Sequence, residues 1–216
     1  ETATAFLPAT STATEQATLT FTPSPTFTPT PTPSPTPLWM GRERPLYTLR
    51  AELDFAKHYL SVEEEILYIN QTGIALDNLV LVVDQNRRSD CFYLESLKIN
   101  GVQIESSLKS SRLEIPLDPK LAPNEGLSIE IIYALDIPAK RSDEVFGYLI
   151  SQINTVDWYP FIAPYSAEKG WLFYTPSGVG EHLVYEISDF DVSLKVSDNL
   201  VVAASSEGEE RDDGWV

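Results

Sequence analysis

The sequence predicts an all-β fold, a twisted antiparallel sandwich or saddle-like sheet preceded by a disordered stalk rich in threonine and proline. Three observations carry that expectation. From Tyr47 to Phe55 the apolar Tyr47, Leu49, Ala51, Leu53 and Phe55 alternate with Thr48, Arg50, Glu52 and Asp54, the two-residue period of a strand with one wet face. Asn100-Gly101 stands between two apolar runs, and both residue types tolerate the positive φ that a two-residue type I′ hairpin demands. Nowhere do apolar residues recur at i, i+3, i+4 and i+7 through three helical turns.

The chain begins with the stalk. Of 216 residues, the first 37 hold 13 Thr and 8 of the 16 Pro, and Glu1 and Glu15 are their only charges. Such a stretch buries too little apolar surface to offset its ordering entropy. Alternating proline through 21–37 favours polyproline II at about 3.1 Å per residue, so the stalk reaches up to roughly 100 Å. Its threonine density suits O-glycosylation outside the cell. Residues 1–45 are therefore expected to form a linker, 46–206 the β domain, and 207–216 the start of a truncated continuation.

After the opening strand, further strands are expected at 62–70, 79–84, 94–99, 102–105, 112–117, 127–137, 146–153, 182–187, 190–196 and 200–204. Pro119, Pro123 and 124–126 punctuate one connection, and Pro138 ends a strand.

Composition removes several function classes. A formal charge of −17, with Arg87-Arg88 and Lys140-Arg141 as the basic clusters, argues against a nucleic-acid partner. Cys91 is the single cysteine, which excludes an internal disulfide and reads as a small buried hydrophobe. His58 and His182 are the two histidines, 124 positions apart and outside any H-E-x-x-H, so no zinc site is expected and both read as structural. Glu63-Glu64-Glu65 invites a paired-carboxylate reading, but strand neighbours point to opposite faces, and a solvated face is the expectation. Asn70-Gln71-Thr72 fits either an N-glycosylation acceptor or an asparagine that ends a strand by bonding the turn backbone. No G-x-S-x-G elbow and no glycine-rich phosphate cradle occurs. No catalytic residue and no metal ligand is expected in this chain.

The dense aromatic stretch from Asp157 through Trp158, Tyr159, Pro160 and Phe161 to Tyr165, followed by Gly170-Trp171 and Phe173-Tyr174, is the most informative segment. Rings at this density form a sugar-stacking platform, line a peptide cleft, or plug the core between two sheets.

The order of several short motifs adds a resemblance. Tyr47-x-Leu49-x-Ala51-x-Leu53-Asp54 opens the domain, Ile66-x-Tyr68-x-Asn70 closes the second strand, and Leu97-x-Ile99-Asn100-Gly101 marks the hairpin. Leu121-x-Pro123-x-Glu125-Gly126 follows, then Asp157-Trp158-Tyr159-Pro160, Gly170-Trp171, Gly180-Glu181-His182, Asp189-Phe190-Asp191-Val192 and Val201-Val202-Ala203-Ala204. In this order the sequence resembles the N-terminal β domain of the aminopeptidase N-like (gluzincin) zinc metallopeptidases.

The resemblance implies a saddle-shaped domain packed over a following thermolysin-like catalytic domain of the same polypeptide. In that family the catalytic domain holds zinc through H-E-x-x-H and a later Glu, none of which lies here. This chain alone is therefore expected to be inactive and to carry no cofactor, its part being to shape the cleft for a peptide substrate. The family's cleft loop corresponds to Tyr159 through Tyr165, which nominates Tyr159, Pro160 and Phe161 as lining residues. The residues after Pro160 are Phe161, Ile162 and Ala163, so the polar side chain that grips a free amine in many members is not carried over. The stalk implies an extracellular or cell-surface, bacterial setting, with membrane or cell wall reached only through a tether upstream of Glu1. The competing reading is a stalk-mounted β-sandwich that binds carbohydrate or a surface protein through Trp158, Tyr159, Trp171 and Tyr174; coplanar exposed rings would favour it. A purely structural spacer is a third reading.

Overall fold

The computed structural model describes residues 41–175, 182–197, 199–209, 211 and 214–216. The stalk through residue 40 and the Gly180-Glu181 motif lie outside the described residues. Strands follow one another as β1 (Leu46–Asp54), β2 (Tyr59–Ile69), β3 (Leu76–Val82), β4 (Phe92–Ile99), β5 (Val102–Gln103), β6 (Ser107–Lys109), β7 (Arg112–Leu121) and β8 (Gly126–Asp136). They continue as β9 (Gly147–Leu149), β10 (Gln152–Asn154), β11 (Phe161–Ile162), β12 (Tyr165–Ser166), β13 (Gly170–Trp171) and β14 (Asp189–Lys195). A 3-10 turn at Asp84–Arg87 is the helical piece among the described residues. The all-β expectation holds.

Six strands in the order β14-β1-β2-β8-β4-β5 make the larger sheet, and β11-β3-β7-β6 make a four-stranded one. Alternation decides which side chains enter the shared core: Tyr47, Leu49 and Ala51 of β1, Val62 and Ile66 of β2, and Ile129, Ile131 and Tyr133 of β8 face in. They join Leu79 and Leu81 of β3 and Leu113 and Ile115 of β7 in one hydrophobic cluster. Each fully buried Leu or Ile contributes about 2 kcal/mol.

The hairpin at Asn100 and Gly101 forms as expected, with φ of 49° and 78°. Its register is fixed further by the Ser128 N–H, which donates to Asn100 Oδ1 at 2.9 Å. Pro119 falls inside β7 rather than in a connection. The ladder to β3 shifts between Leu76 and Asn78, opposite Leu121 and Pro116, so the proline sits in a bulge where no ladder N–H is needed.

Two expectations are corrected. Residues 182–188 and 200–204 form no strand: alternation needs a neighbouring ladder, and among the described residues Ile187 and Val201 stand 75% and 96% exposed with none. The stretch at 146–153 divides into the hairpin β9–β10. Within the otherwise antiparallel larger sheet, the edge strand β14 returns parallel to β1, Tyr47 facing Phe190 and Leu49 facing Val192.

At the start of β9, Gly147 adopts φ 134°, and a Cβ there would sit 2.7 Å from Lys140 Cα and 2.9 Å from Pro138 O. Backbone cannot yield as a side chain does, because the Tyr148 N–H donates to that same Pro138 carbonyl at 2.9 Å. Gly147→Ala is expected to cost about 2 kcal/mol in urea denaturation. A midpoint matching the parent would refute the close approach.

Candidate functional site

The aromatic segment is held from two sides, by a polar hub at its entry and by buried tyrosines beneath it. The hub is the 3-10 turn after β3. Asp84, 5% exposed, accepts from Arg87 Nε at 2.7 Å and Arg87 Nη2 at 3.2 Å, and from His182 Nε2 at 3.1 Å, with Arg88 Nη1 at 3.7 Å. Burial alone raises the carboxyl's pKa, but the Arg87 and His182 hydrogen bonds outweigh it and hold the group below its ordinary value. The neighbouring Gln85, 2% exposed, donates from Nε2 to the Val156 carbonyl at 2.8 Å and the Asp157 carbonyl at 3.0 Å. Its Oε1 accepts from Arg88 Nη1 at 2.8 Å, and Arg88 Nε reaches Glu144 at 3.1 Å. One short turn thus fastens residues 144, 156–157 and 182. Asp157 then bends the chain at φ 51°, and its carboxylate accepts from the Tyr185 hydroxyl.

Beyond the bend the segment joins both sheets. Phe161 and Ile162 pair with Val82 and Leu81 as β11, and the Ala163 N–H donates to Val80 O at 2.9 Å. From the larger sheet, the Tyr47 hydroxyl accepts the Ile162 N–H at 3.0 Å, and the Tyr133 hydroxyl donates to Trp158 O at 3.5 Å. Tyr47 also stacks on Phe190 at 5.0 Å and meets Tyr159 edge-on at 6.0 Å. Burial and the nearby Asp157 and Glu64 push the Tyr159 hydroxyl up to about 12. Tyr133, fully enclosed, is pushed well above the usual tyrosine value.

Between those two tyrosines lies Glu64, 3% exposed. The solvated face expected for Glu63-Glu64-Glu65 is right for Glu63 and is corrected at Glu64, because β2 alternation turns it inward beside Leu49 and Ile131. Glu65, half-buried on the outer face, accepts from Ser128 Oγ at 2.8 Å. Desolvation raises the Glu64 carboxyl well above 4.5, opposed by the attraction of the Tyr133 hydroxyl. That hydroxyl is directed at Trp158, however, and among the described residues neither Glu64 oxygen has a partner of full hydrogen-bond geometry. The signal that separates Glu64 from its neighbours is the apolar period Leu60, Val62, Ile66 and Tyr68, which sets the inward phase of β2 and carries position 64 with it.

Of the three nominated lining residues, Tyr159 is half-buried, whereas Pro160 is buried and Phe161 is 3% exposed within the core. Any contact of this trio with a ligand therefore falls to the Tyr159 ring. Of the four rings of the carbohydrate reading, Trp158 and Tyr159 do not lie flat together but cross at 84°, and Trp171 packs edge-on against a fifth ring, Tyr165, at 83°. Trp171 is half-buried and donates from Nε1 to Asn78 Oδ1 at 3.1 Å, and Tyr174 is 44% exposed. His58, at φ 55° in the β1–β2 turn, stacks on Tyr148 at 3.5 Å, far in sequence and in partners from His182. Among the described residues no group of three or more His, Cys, Asp or Glu side chains is placed to hold a metal ion. Cys91 is buried and its thiol is pushed up to about 11 by burial.

No family model matches the chain, and no curated protein matches it. Solved structures do. The chain is similar in structure to M1 zinc metallopeptidases. The M1 zinc metallopeptidase of Deinococcus radiodurans aligns with a TM-score of 0.47 at 17% identity, covering 81% of this chain and 38% of that one. A variant of the same peptidase bound to a Tyr-Ser-Ala substrate gives 0.48 with the same identity and coverage. Legionella pneumophila aminopeptidase A, in complex with aspartic acid, gives 0.32 at 17% identity over 41% of this chain and 10% of its own. The chain thus spans 38% of the length of the Deinococcus structures it matches.

Proposed function

We propose that this chain is the non-catalytic N-terminal β domain of a zinc metallo-aminopeptidase-like protein, shaping a cleft for peptide substrates. Its partner in this reading is a following catalytic domain of the same polypeptide, which supplies zinc and the H-E-x-x-H chemistry. The Thr/Pro stretch holds the assembly outside a bacterial cell. The ordered motif set supports the reading from sequence, and one structural observation carries it. On β14, Phe190 and Val192 share the face that Tyr47 and Leu49 turn to the core, yet they remain 47% and 46% exposed. An inward-facing apolar row left open on the edge strand of the larger sheet is a surface suited to a further protein layer.

The test uses the full reading frame that contains this chain. Expressed whole, it is expected to bind one zinc per chain and release N-terminal residues from peptides, while residues 41–216 alone retain no zinc after dialysis. A full-length product with neither zinc nor peptidase activity overturns the reading. In the active full-length protein, Tyr159→Ala is expected to raise KM for peptides by about tenfold, worth about 1.4 kcal/mol, with kcat little changed. An unaltered KM would remove Tyr159 from the cleft.

A further inference from the structure

Glu64 is a buried carboxyl with no full hydrogen bond, and it lies beside the hydroxyl that ties down Trp158. Core carboxyls are ordinarily paired, so an orphan of this kind calls for a physical account. The titratable groups facing it are Tyr47 of β1, Tyr133 of β8 and Tyr159 of the aromatic segment, and among the described residues no salt bridge reaches it. Tyr133 has one proton to donate and two acceptors within reach, the Trp158 carbonyl and Glu64.

We propose that Glu64 and Tyr133 form a proton-controlled latch on the aromatic segment: with Glu64 protonated, Tyr133 is left to Trp158, and with Glu64 ionised, Tyr133 turns to the carboxylate and releases Trp158. The balance is simple. Glu64 gives its proton to solvent, Tyr133 keeps its own, and only the acceptor of the Tyr133 hydrogen bond changes. The exchange runs in that direction because a bond to a buried carboxylate is about twice as strong as one to a neutral carbonyl, and the Trp158 bond is already long at 3.5 Å. The Tyr47–Ile162 bond is untouched, so release is confined to Trp158 and Tyr159 while β11 stays in register. The linkage has the same sign. A raised carboxyl pKa in the folded state gives stability that is full below about 4.5 and declines as pH rises towards the folded value. The latch does not depend on what the segment binds, and its failure leaves the metallopeptidase reading standing.

The test is acrylamide quenching of tryptophan fluorescence from about pH 5 to pH 9 on residues 41–216, with far-UV circular dichroism alongside. The chain is expected to show a reversible rise in quenching of about twofold at constant dichroism, reporting a shift between two populated states. Trp158→Phe should abolish the rise, because it removes the reporter. Glu64→Gln, which keeps size and cannot ionise, should hold the quenching at its acid level throughout. Tyr133→Phe, which leaves Glu64 in place, should hold it at the alkaline level. A rise that persists in Glu64→Gln, a parent chain with no rise, or a rise that coincides with loss of dichroism would each overturn the latch.

Discussion

Asp84→Asn is expected to lower the stability of the domain by about 2–3 kcal/mol at neutral pH, the cost of leaving the partly shielded Arg87 without its counter-charge and Arg88 with Glu144 alone. The side chain of Asp84 is only 6% exposed and faces Arg87, Arg88 and His182 together, whose own exposures are 29%, 17% and 20%. The two partly shielded guanidinium groups would then share a site with a neutral amide. The pH dependence follows from the lowered carboxyl pKa. A depressed folded value gives stability that is present above the unfolded value of about 3.8 and is lost as pH falls through the folded one. Urea denaturation should therefore show the full gap between parent and variant at pH 7, narrowing only below about pH 3.8. A gap under about 1 kcal/mol at pH 7 would mean that solvent, and not Asp84, compensates the arginines. The same substitution should loosen residues 156–157 and 182, which hydrogen exchange would register as faster amides there than in the strands.

Much of the architecture was legible from side-chain alternation alone, because period two dictates which residues face in wherever a strand has a partner. Tyr47, Leu49 and Ala51 turn inward as the sequence predicts, and Asn100-Gly101 makes the turn that its φ angles allow. Alternation without a partner carries less. The apolar runs near 184–187 and 200–204 read like strands, yet no ladder receives them among the described residues, and side-chain bonds from His182 and Tyr185 guide the chain instead.

The site was harder to read for the same reason. Asp157, Trp158 and Tyr159 stood out by composition, but the groups that position them are Asp84, Gln85, Tyr47 and Tyr133, 24 or more residues away, and their hydrogen bonds to the segment emerge only once the strands are in register. Glu64 is the sharpest instance: Glu63 before it is exposed and Glu65 after it is half-buried with Ser128 as its donor, whereas Glu64, turned inward, is an orphan among the described residues.

Asn70→Ala should produce a loss of comparable size, about 3 kcal/mol and a melting temperature lower by roughly 6–12 °C for a domain of this length. Asn70 is 0% exposed, and every polar atom of its side chain is engaged. Nδ2 donates to Ile74 O at 2.7 Å and to Leu121 O at 2.9 Å, and Oδ1 accepts from the Thr72 N–H at 3.1 Å and the Thr72 hydroxyl at 2.6 Å. It thereby joins the end of β2 to the turn that follows and to the last residue of β7, 51 positions away. Alanine would strand the buried Leu121 carbonyl and the half-buried Thr72 amide, each costing about 1–3 kcal/mol when no water replaces the partner, while the Ile74 carbonyl keeps the Thr72 hydroxyl at 3.2 Å. The geometry favours the strand-ending turn of the two readings of Asn70-Gln71-Thr72, since Asn70 is fully buried and a glycan on Nδ2 would replace one of the two hydrogens that Ile74 O and Leu121 O accept. Thr72→Ala removes the same sequon but strands far less, so it should cost only about 1 kcal/mol. Thermal melts of the two variants in parallel decide the matter. Equal, small losses would show that the triplet matters only as a surface turn, whereas a threefold disparity identifies Asn70 as the clasp between β2 and β7.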